Sequence, residues 1–158
     1  MNIRGITLIE LVIVISVIGI LVAVTGFTYQ DWAAKYEVER TTKEMYSDFV
    51  RARLMAMQKN REHYVVLGSD SYSIVEDTDD NCVPSAGDKT LPSYPKRLPY
   101  PLQKNGRGNN IYFDKKGMIS SLRTVWFTSY SRPDYDCVVV SRTRINMGRH
   151  NGVDCVEQ

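Results

Sequence analysis

One carboxylate, Glu10, stands in a stretch that is otherwise uncharged from Ile6 to Gln30. A carboxylate inside a hydrocarbon helix costs about 2.5–3.5 kcal/mol even on lenient insertion scales, so it implies a partner and a purpose. The only cation ahead of it is Arg4, in the leader Met1-Asn2-Ile3-Arg4-Gly5. Were the chain cut after Gly5, the new amine of Ile6 would lie about one helical turn from Glu10. It would also reach a neighbouring copy's Glu10 in a staggered stack of identical helices.

The run from Leu11 to Phe27 is broken only by Ser16, Gly19, Thr25 and Gly26. Together with Ile6 to Glu10 it reaches the roughly 20 residues that cross a bilayer. Arg4 before it and a polar remainder after it place the N-terminus in the cytoplasm and everything beyond Gln30 outside. An ordinary secretory signal fits poorly. No small-x-small site follows until Ala33-Ala34, and Glu10 would interrupt the apolar region. A plain membrane anchor has no use for Glu10.

Gly5-Ile6-Thr7-Leu8-Ile9-Glu10-Leu11 resembles the processing site of type IV pilins and type II secretion pseudopilins. The resemblance implies cleavage after Gly5 by a prepilin peptidase, N-methylation of Ile6, and a docking role for Glu10 in a growing fibre. Two positions depart from the usual pattern: Ile6 stands where Phe is common, and Phe27 where a helix-loosening Pro is often found.

The helical pattern continues beyond the apolar run. Val38, Thr42, Met45, Phe49, Ala52 and Ala56 recur at spacings of four and three, with charged residues filling most positions between, an amphipathic helix to about Lys59. Tyr46, Val50, Leu54 and Met57 widen the apolar stripe, enough to carry a sheet. After Asn60 the period becomes two. Residues 63–67 and 72–75 read as a hairpin around Gly68-Ser69-Asp70-Ser71, followed by strands at 111–113, 125–128, 137–141 and 144–147. Residues 76–110 hold all but one of the six prolines and read as one long variable loop.

The division is therefore a leader (1–5), a membrane and assembly half of the helix (6–30), an amphipathic half (31–60) and a head (61–158). The fold class is α+β: a long N-terminal helical spine, membrane-spanning in its first half, with an antiparallel β-sheet head on its second half. Tyr29, Trp32 and Tyr36 read as an aromatic belt at the membrane exit.

Three cysteines in a chain that faces an oxidising compartment suggest one bridge and one spare thiol. Pairing of Cys137 with Cys155 is favoured because it would pin a tail of little apolar content, with a stabilisation of about 3 kcal/mol. Bridges to Cys82 stay open. Arg142, Arg144, Arg149 and His150 form a basic cluster suited to phosphates, weighed against a solvated strand-and-turn surface, since no aromatic residue interleaves with the arginines. The net charge of +2 does not by itself imply a nucleic-acid partner.

Catalysis is not supported. His63 and His150 lie in no Ser/His/Asp or Cys/His arrangement, no phosphate loop occurs, and no cofactor is expected. Asp77-Thr78-Asp79-Asp80-Asn81 offers hard oxygen ligands but lacks the Gly and distal Glu of a calcium loop, so no metal is expected and a solvated acidic turn is favoured.

Ala52-Arg53 with Ala56 and Asn60, Ile111-Tyr112-Phe113 before Gly117, and Val138-Val139-Val140-Ser141-Arg142 resemble the GspH/FimT subgroup of minor pilins and pseudopilins. The type IV pilin fold and a low-copy subunit near the fibre tip, helping to start assembly, follow from that resemblance. The implied partners are other pilin subunits through their N-terminal helices, the prepilin peptidase, the inner-membrane assembly platform and the inner membrane itself. DNA is a further partner in some members. The chain would sit in the bacterial inner membrane before assembly, and in a surface pilus or periplasmic pseudopilus after it.

Overall fold

The computed structural model describes residues 5–81, 83–106, 108–120, 122–129 and 131–157, with residues 24–28 described by backbone alone. The expected leader residues before Gly5, Cys82 and the Phe27 side chain lie outside the described residues. Helix α1 (Leu8–Lys59) is one rod of 52 residues, about 78 Å long at the α-helical rise. It begins where Thr7 caps it: the Thr7 hydroxyl accepts a hydrogen bond from the Glu10 amide at 3.3 Å. It stops at Asn60, whose left-handed backbone (φ 49°, ψ 40°) lets its N–H donate to the Ala56 carbonyl, a conformation Asn tolerates better than most residues.

The two halves of α1 differ in surroundings. From Leu8 to Val22 the large apolar side chains are all at least half exposed, whereas Val38, Thr42, Met45, Phe49, Ala52 and Ala56 are fully buried. The spacing of four and three is thus the core stripe. Of the residues expected to widen it, Tyr46 and Val50 pack partly against the core, but Leu54 and Met57 remain 45% and 42% exposed. At about 100° per residue, Leu54 points some 140° away from Phe49. Among the described residues no helix is long and apolar enough to cross a membrane. The described apolar side chains from Leu8 to Ala23 span about 24 Å, against about 30 Å of hydrocarbon, and the next five side chains are not described.

Where one sheet was expected, the described residues form two. In the first, β1 (His63–Leu67), β2 (Ser71–Glu76), β3 (Lys89–Thr90), β4 (Lys96–Arg97) and β6 (Asn110–Phe113) are ordered β3-β2-β1-β6, with β4 also on β2. In the second, β5 (Leu102–Lys104), β7 (Arg123–Phe127), β8 (Cys137–Val140), β9 (Ile145–His150) and β10 (Cys155–Glu157) are ordered β10-β9-β8-β7-β5. The paired strands are antiparallel in both, with Val65 opposite Ile74 and Ile111, and Val138 opposite Val125 and Met147. Their inner faces close on the α1 stripe as one core. The turn at Asp114 closes on Gly117 (φ +71°), where an added Cβ would meet Arg53 and Met57 at 2.9 Å; only glycine lets this turn lie on the helix.

Segment 76–110 is not one free loop. It carries β3, β4 and β5, and polar groups tie it down. Lys96 bridges Asp48 and Glu44 of α1, each at 2.7 Å, and Tyr72 donates to Asp48 at 2.6 Å. Asp77, read as part of a solvated turn, is fully buried and accepts from the Tyr64 hydroxyl at 2.6 Å. Asp77, Asp79 and Asp88 gather within 4.8 Å. Asp77 and Asp88 also accept from the loop's own amides of Asp79, Thr78 and Ser85, so the cluster holds the loop's shape.

His63 is fully buried where α1 hands over to β1. Its Nδ1 lies 3.0 Å from the Arg61 carbonyl, and Nε2 lies 4.0 Å from Glu76 with no hydrogen-bond partner among the described residues. Burial pushes the imidazole pKa down, outweighing the Arg61 carbonyl and Glu76, which favour the proton. The unfolded chain therefore binds this proton first. Stability from His63 is complete above about pH 6.5 and declines as the pH falls below it. Glu76 titrates elsewhere: burial raises its pKa, but Lys59, His63 and Arg61 together bring it below the usual range, so its contribution is lost only below about pH 4. Denaturant titrations at pH 7 and pH 5 should show wild type weaker at pH 5, and His63→Gln should remove most of that difference. An unchanged difference would contradict the assignment.

Candidate functional site

The exposed N-terminal part of α1 has one described acid before Asp31, and that is Glu10. Thr7 fixes its place. With Thr7 as cap, Glu10 is the third helical residue, on the first turn, where the positive end of the helix dipole attracts a carboxylate. Ile6 is 75% exposed beside it. The arrangement offers one carboxylate at the tip of a helix whose described residues from Leu11 to Ala23 carry no charge, suited to a cation or amine on a neighbouring helix. The Thr-x-x-Glu spacing of a capping box was present in the sequence, but the cost of burying Glu10 drew attention away from Thr7.

Farther along, Tyr29, Trp32 and Tyr36 form a column on the exposed side of α1. Trp32 stacks on Tyr36 (5.8 Å, 14°) and lies 6.1 Å from Tyr29. Just past them the head docks on the helix. Lys35 pairs with Asp134 at 3.0 Å, the Asp134 amide donates to Glu39 at 2.9 Å, and Lys43 sits over the Tyr135 ring.

The four basic residues at the C-terminal end are not brought together. Arg142 and Arg144 lie exposed on the β8–β9 turn, while Arg149 and His150 lie at the other end of β9, roughly 16 Å away at the strand rise. Successive strand residues also alternate faces, so Arg149 and His150 point oppositely. A single phosphate groove is therefore not formed. No aromatic interleaves with the arginines along the sequence, but Trp126 of β7 stacks on the His150 ring at 4.4 Å and 3°. No sequence proximity announced this contact, because it joins β7 to β9 across the intervening β8.

Arg53 holds the β8–β9 turn. Its guanidinium donates to the carbonyls of Thr143 at 2.9 Å and Ser141 at 3.0 Å, and lies 5.5 Å from the centre of the Phe113 ring in the other sheet. One side chain of the spine thus links both sheets, with charge-assisted bonds that are among the stronger kind.

Cys137 and Cys155 form a disulfide joining β8 to β10, with Cα atoms 6.0 Å apart. This is the bridge favoured from sequence. It passes over Gly148 of β9, which lies opposite both Cys137 and Glu157. A Cβ on Gly148 would stand 2.1 Å from the Val156 carbonyl oxygen and 3.1 Å from Cys155 Sγ. Gly148 is therefore a steric requirement of the bridge.

Comparison with known families matches residues 41–144, about two thirds of the chain, to the family described as Type II transport protein GspH. Residues 1–26 match the Prokaryotic N-terminal methylation motif. No curated protein matches. Among solved structures, the minor pseudopilin EpsH from the Type 2 Secretion System of Vibrio cholerae is similar, with a TM-score of 0.56 at 10% identity, over 75% of this chain and 99% of that one. That likeness shows the fold. With the methylation motif at its start, the family match from residue 41 of α1 through most of the head, and the shared helix-and-sheet fold, the chain belongs to the GspH family of the type IV pilin and pseudopilin superfamily.

Proposed function

We propose that this chain is a minor fibre subunit, held in the inner membrane by the first half of α1, cut after Gly5 by a prepilin peptidase, and drawn into a fibre through Glu10. The observation that carries this reading is the described start of α1, Leu8 to Ala23: predominantly apolar, exposed throughout, and charged only at Glu10. Water is a poor solvent for such a rod. A bilayer before assembly, and neighbouring helices after it, both cover it. Tyr29, Trp32 and Tyr36 then sit at the headgroup level, where aromatic rings with polar edges are favoured. Membership of the family favours a pseudopilus of type II secretion, and a type IV pilus uses the same chemistry. The divided basic residues remove the groove on which DNA binding rested, so that reading is not carried further.

Mass spectrometry of the protein from assembled fibres tests the proposal. The expected N-terminus is N-methylated Ile6, with the five leader residues gone. Unmethylated protein that retains Met1 to Gly5 would refute it.

A further inference from the structure

We propose that the cavity where α1 meets the β7–β8 connection holds the headgroup of a membrane lipid, a phosphate ester that carries a primary ammonium. The inference rests on α1 being held in a bilayer, and adds which lipid its neck meets. From Leu8 to Phe27 the helix rises about 29 Å, matching about 30 Å of hydrocarbon. Asp31 stands about 6 Å farther along, within a headgroup layer about 5–7 Å deep. The column of Tyr29, Trp32 and Tyr36 marks the same depth on the exposed side of α1.

On the side facing the head, a cavity of about 380 Å³ is lined by Asp31, Ala34, Tyr100, Ser129, Ser131 and Arg132, the size of a small-ligand site. Asp31 and Arg132 are exposed, and among the described residues neither makes an ion pair. The Ser129 and Ser131 hydroxyls lie 2.8 Å apart. One donates to the other, so one hydroxyl hydrogen is left for a ligand. The neighbouring charges are already matched, Lys35 by Asp134 and Glu39. That contact, the Asp134 amide on Glu39 and the buried Pro133 pin the chain that carries Arg132 against α1. Arg132 itself is held in a left-handed backbone, φ 36°, which persists only where its surroundings impose it.

Opposite charges in one cavity select a zwitterion. The Arg132 guanidinium and the free hydroxyl donate to phosphate oxygens, and the Asp31 carboxylate accepts from an ammonium. A phosphoethanolamine headgroup supplies both. A trimethylammonium headgroup has no N–H to donate, and a purely anionic one leaves Asp31 unmatched.

The test places the full chain in vesicles of equal parts phosphatidylethanolamine and phosphatidylcholine. Native mass spectrometry after detergent release then counts the lipids that stay bound. One phosphatidylethanolamine per chain is expected, retained about three- to fivefold over phosphatidylcholine. Asp31→Asn should keep a bound lipid and lose the preference, whereas Arg132→Gln should lose retention of both lipids. Equal retention by wild type, a wild-type pattern in either variant, or displacement of the lipid by equimolar inorganic phosphate would overturn the proposal. Alkaline extraction of the same vesicles separates the two readings. Inserted chain without the preference refutes the headgroup site alone; chain that alkali extracts refutes membrane insertion and the site together.

Discussion

Gly148→Val is expected to unseat β10 and leave Cys137 and Cys155 reduced. The overlap is too large for local adjustment, because the nearest atom to an added Cβ, at 2.1 Å, is the backbone oxygen of Val156 and not the end of a flexible side chain. To relieve it β10 must lift away from β9, which carries Cys155 away from Cys137. The loop that the bridge closes has a sequence separation of 18, for which the chain-entropy estimate is about 3 kcal/mol. The melting temperature should therefore fall by about 10–20 °C, and thiol titration under denaturing conditions should find two more reactive groups per chain. Gly87→Ala serves as the control, since its added Cβ meets only Ser85 at an ordinary 3.7 Å. A Gly148→Val protein with an intact bridge and an unchanged melting temperature would show that β10 is not seated as described.

How much could be read in advance follows from the length over which each signal repeats. The core stripe from Val38 to Ala56 was legible because six residues hold one periodicity across five turns, and all six are buried. The hairpin of β1 and β2 was legible for a similar reason, with a turn cluster between two alternating runs. The strands β3, β4 and β10 were not: at two or three residues they are too short to show a period and form only because neighbours supply hydrogen bonds. The second sheet was hidden for a related cause. Strand content can be counted in a sequence, but the choice between one sheet and two rests on contacts such as Leu102 with Phe127, which join a proline-rich segment to a distant strand.

The candidate site divides in the same way. Pairing of Cys137 with Cys155 was favoured by the stability argument without closing bridges to Cys82, and Gly148 between them was invisible, since nothing local shows what crosses a glycine. The basic residues cluster within nine positions of sequence, but strand geometry sends them to two ends and two faces. Arg53 was singled out only by resemblance. Its physical role, donating to Ser141 and Thr143 about ninety residues away, needed the fold.

The other large expected effect is at Glu10. In a stack of apolar helices an uncompensated carboxylate is costly, and under the proposed processing a neighbouring Ile6 amine would offer the matching charge. On the proposed docking role, such a pair would set the axial register as well as the affinity, because no other charge lies between Glu10 and Asp31. Glu10→Ala removes the charge and leaves the remaining apolar surface of α1 in place. Membrane insertion should be preserved, and it should improve if it changes at all. Incorporation should suffer, since a charge-assisted contact of this kind corresponds to roughly ten- to hundredfold in an equilibrium. The most direct measurement is the ratio of Glu10→Ala protein in the assembled-fibre fraction to that in the membrane fraction, compared with wild type in the same cells. A normal membrane pool with at least about tenfold less protein in fibres is the expected result; Glu10→Ala protein in fibres at the wild-type ratio would contradict the docking role of Glu10.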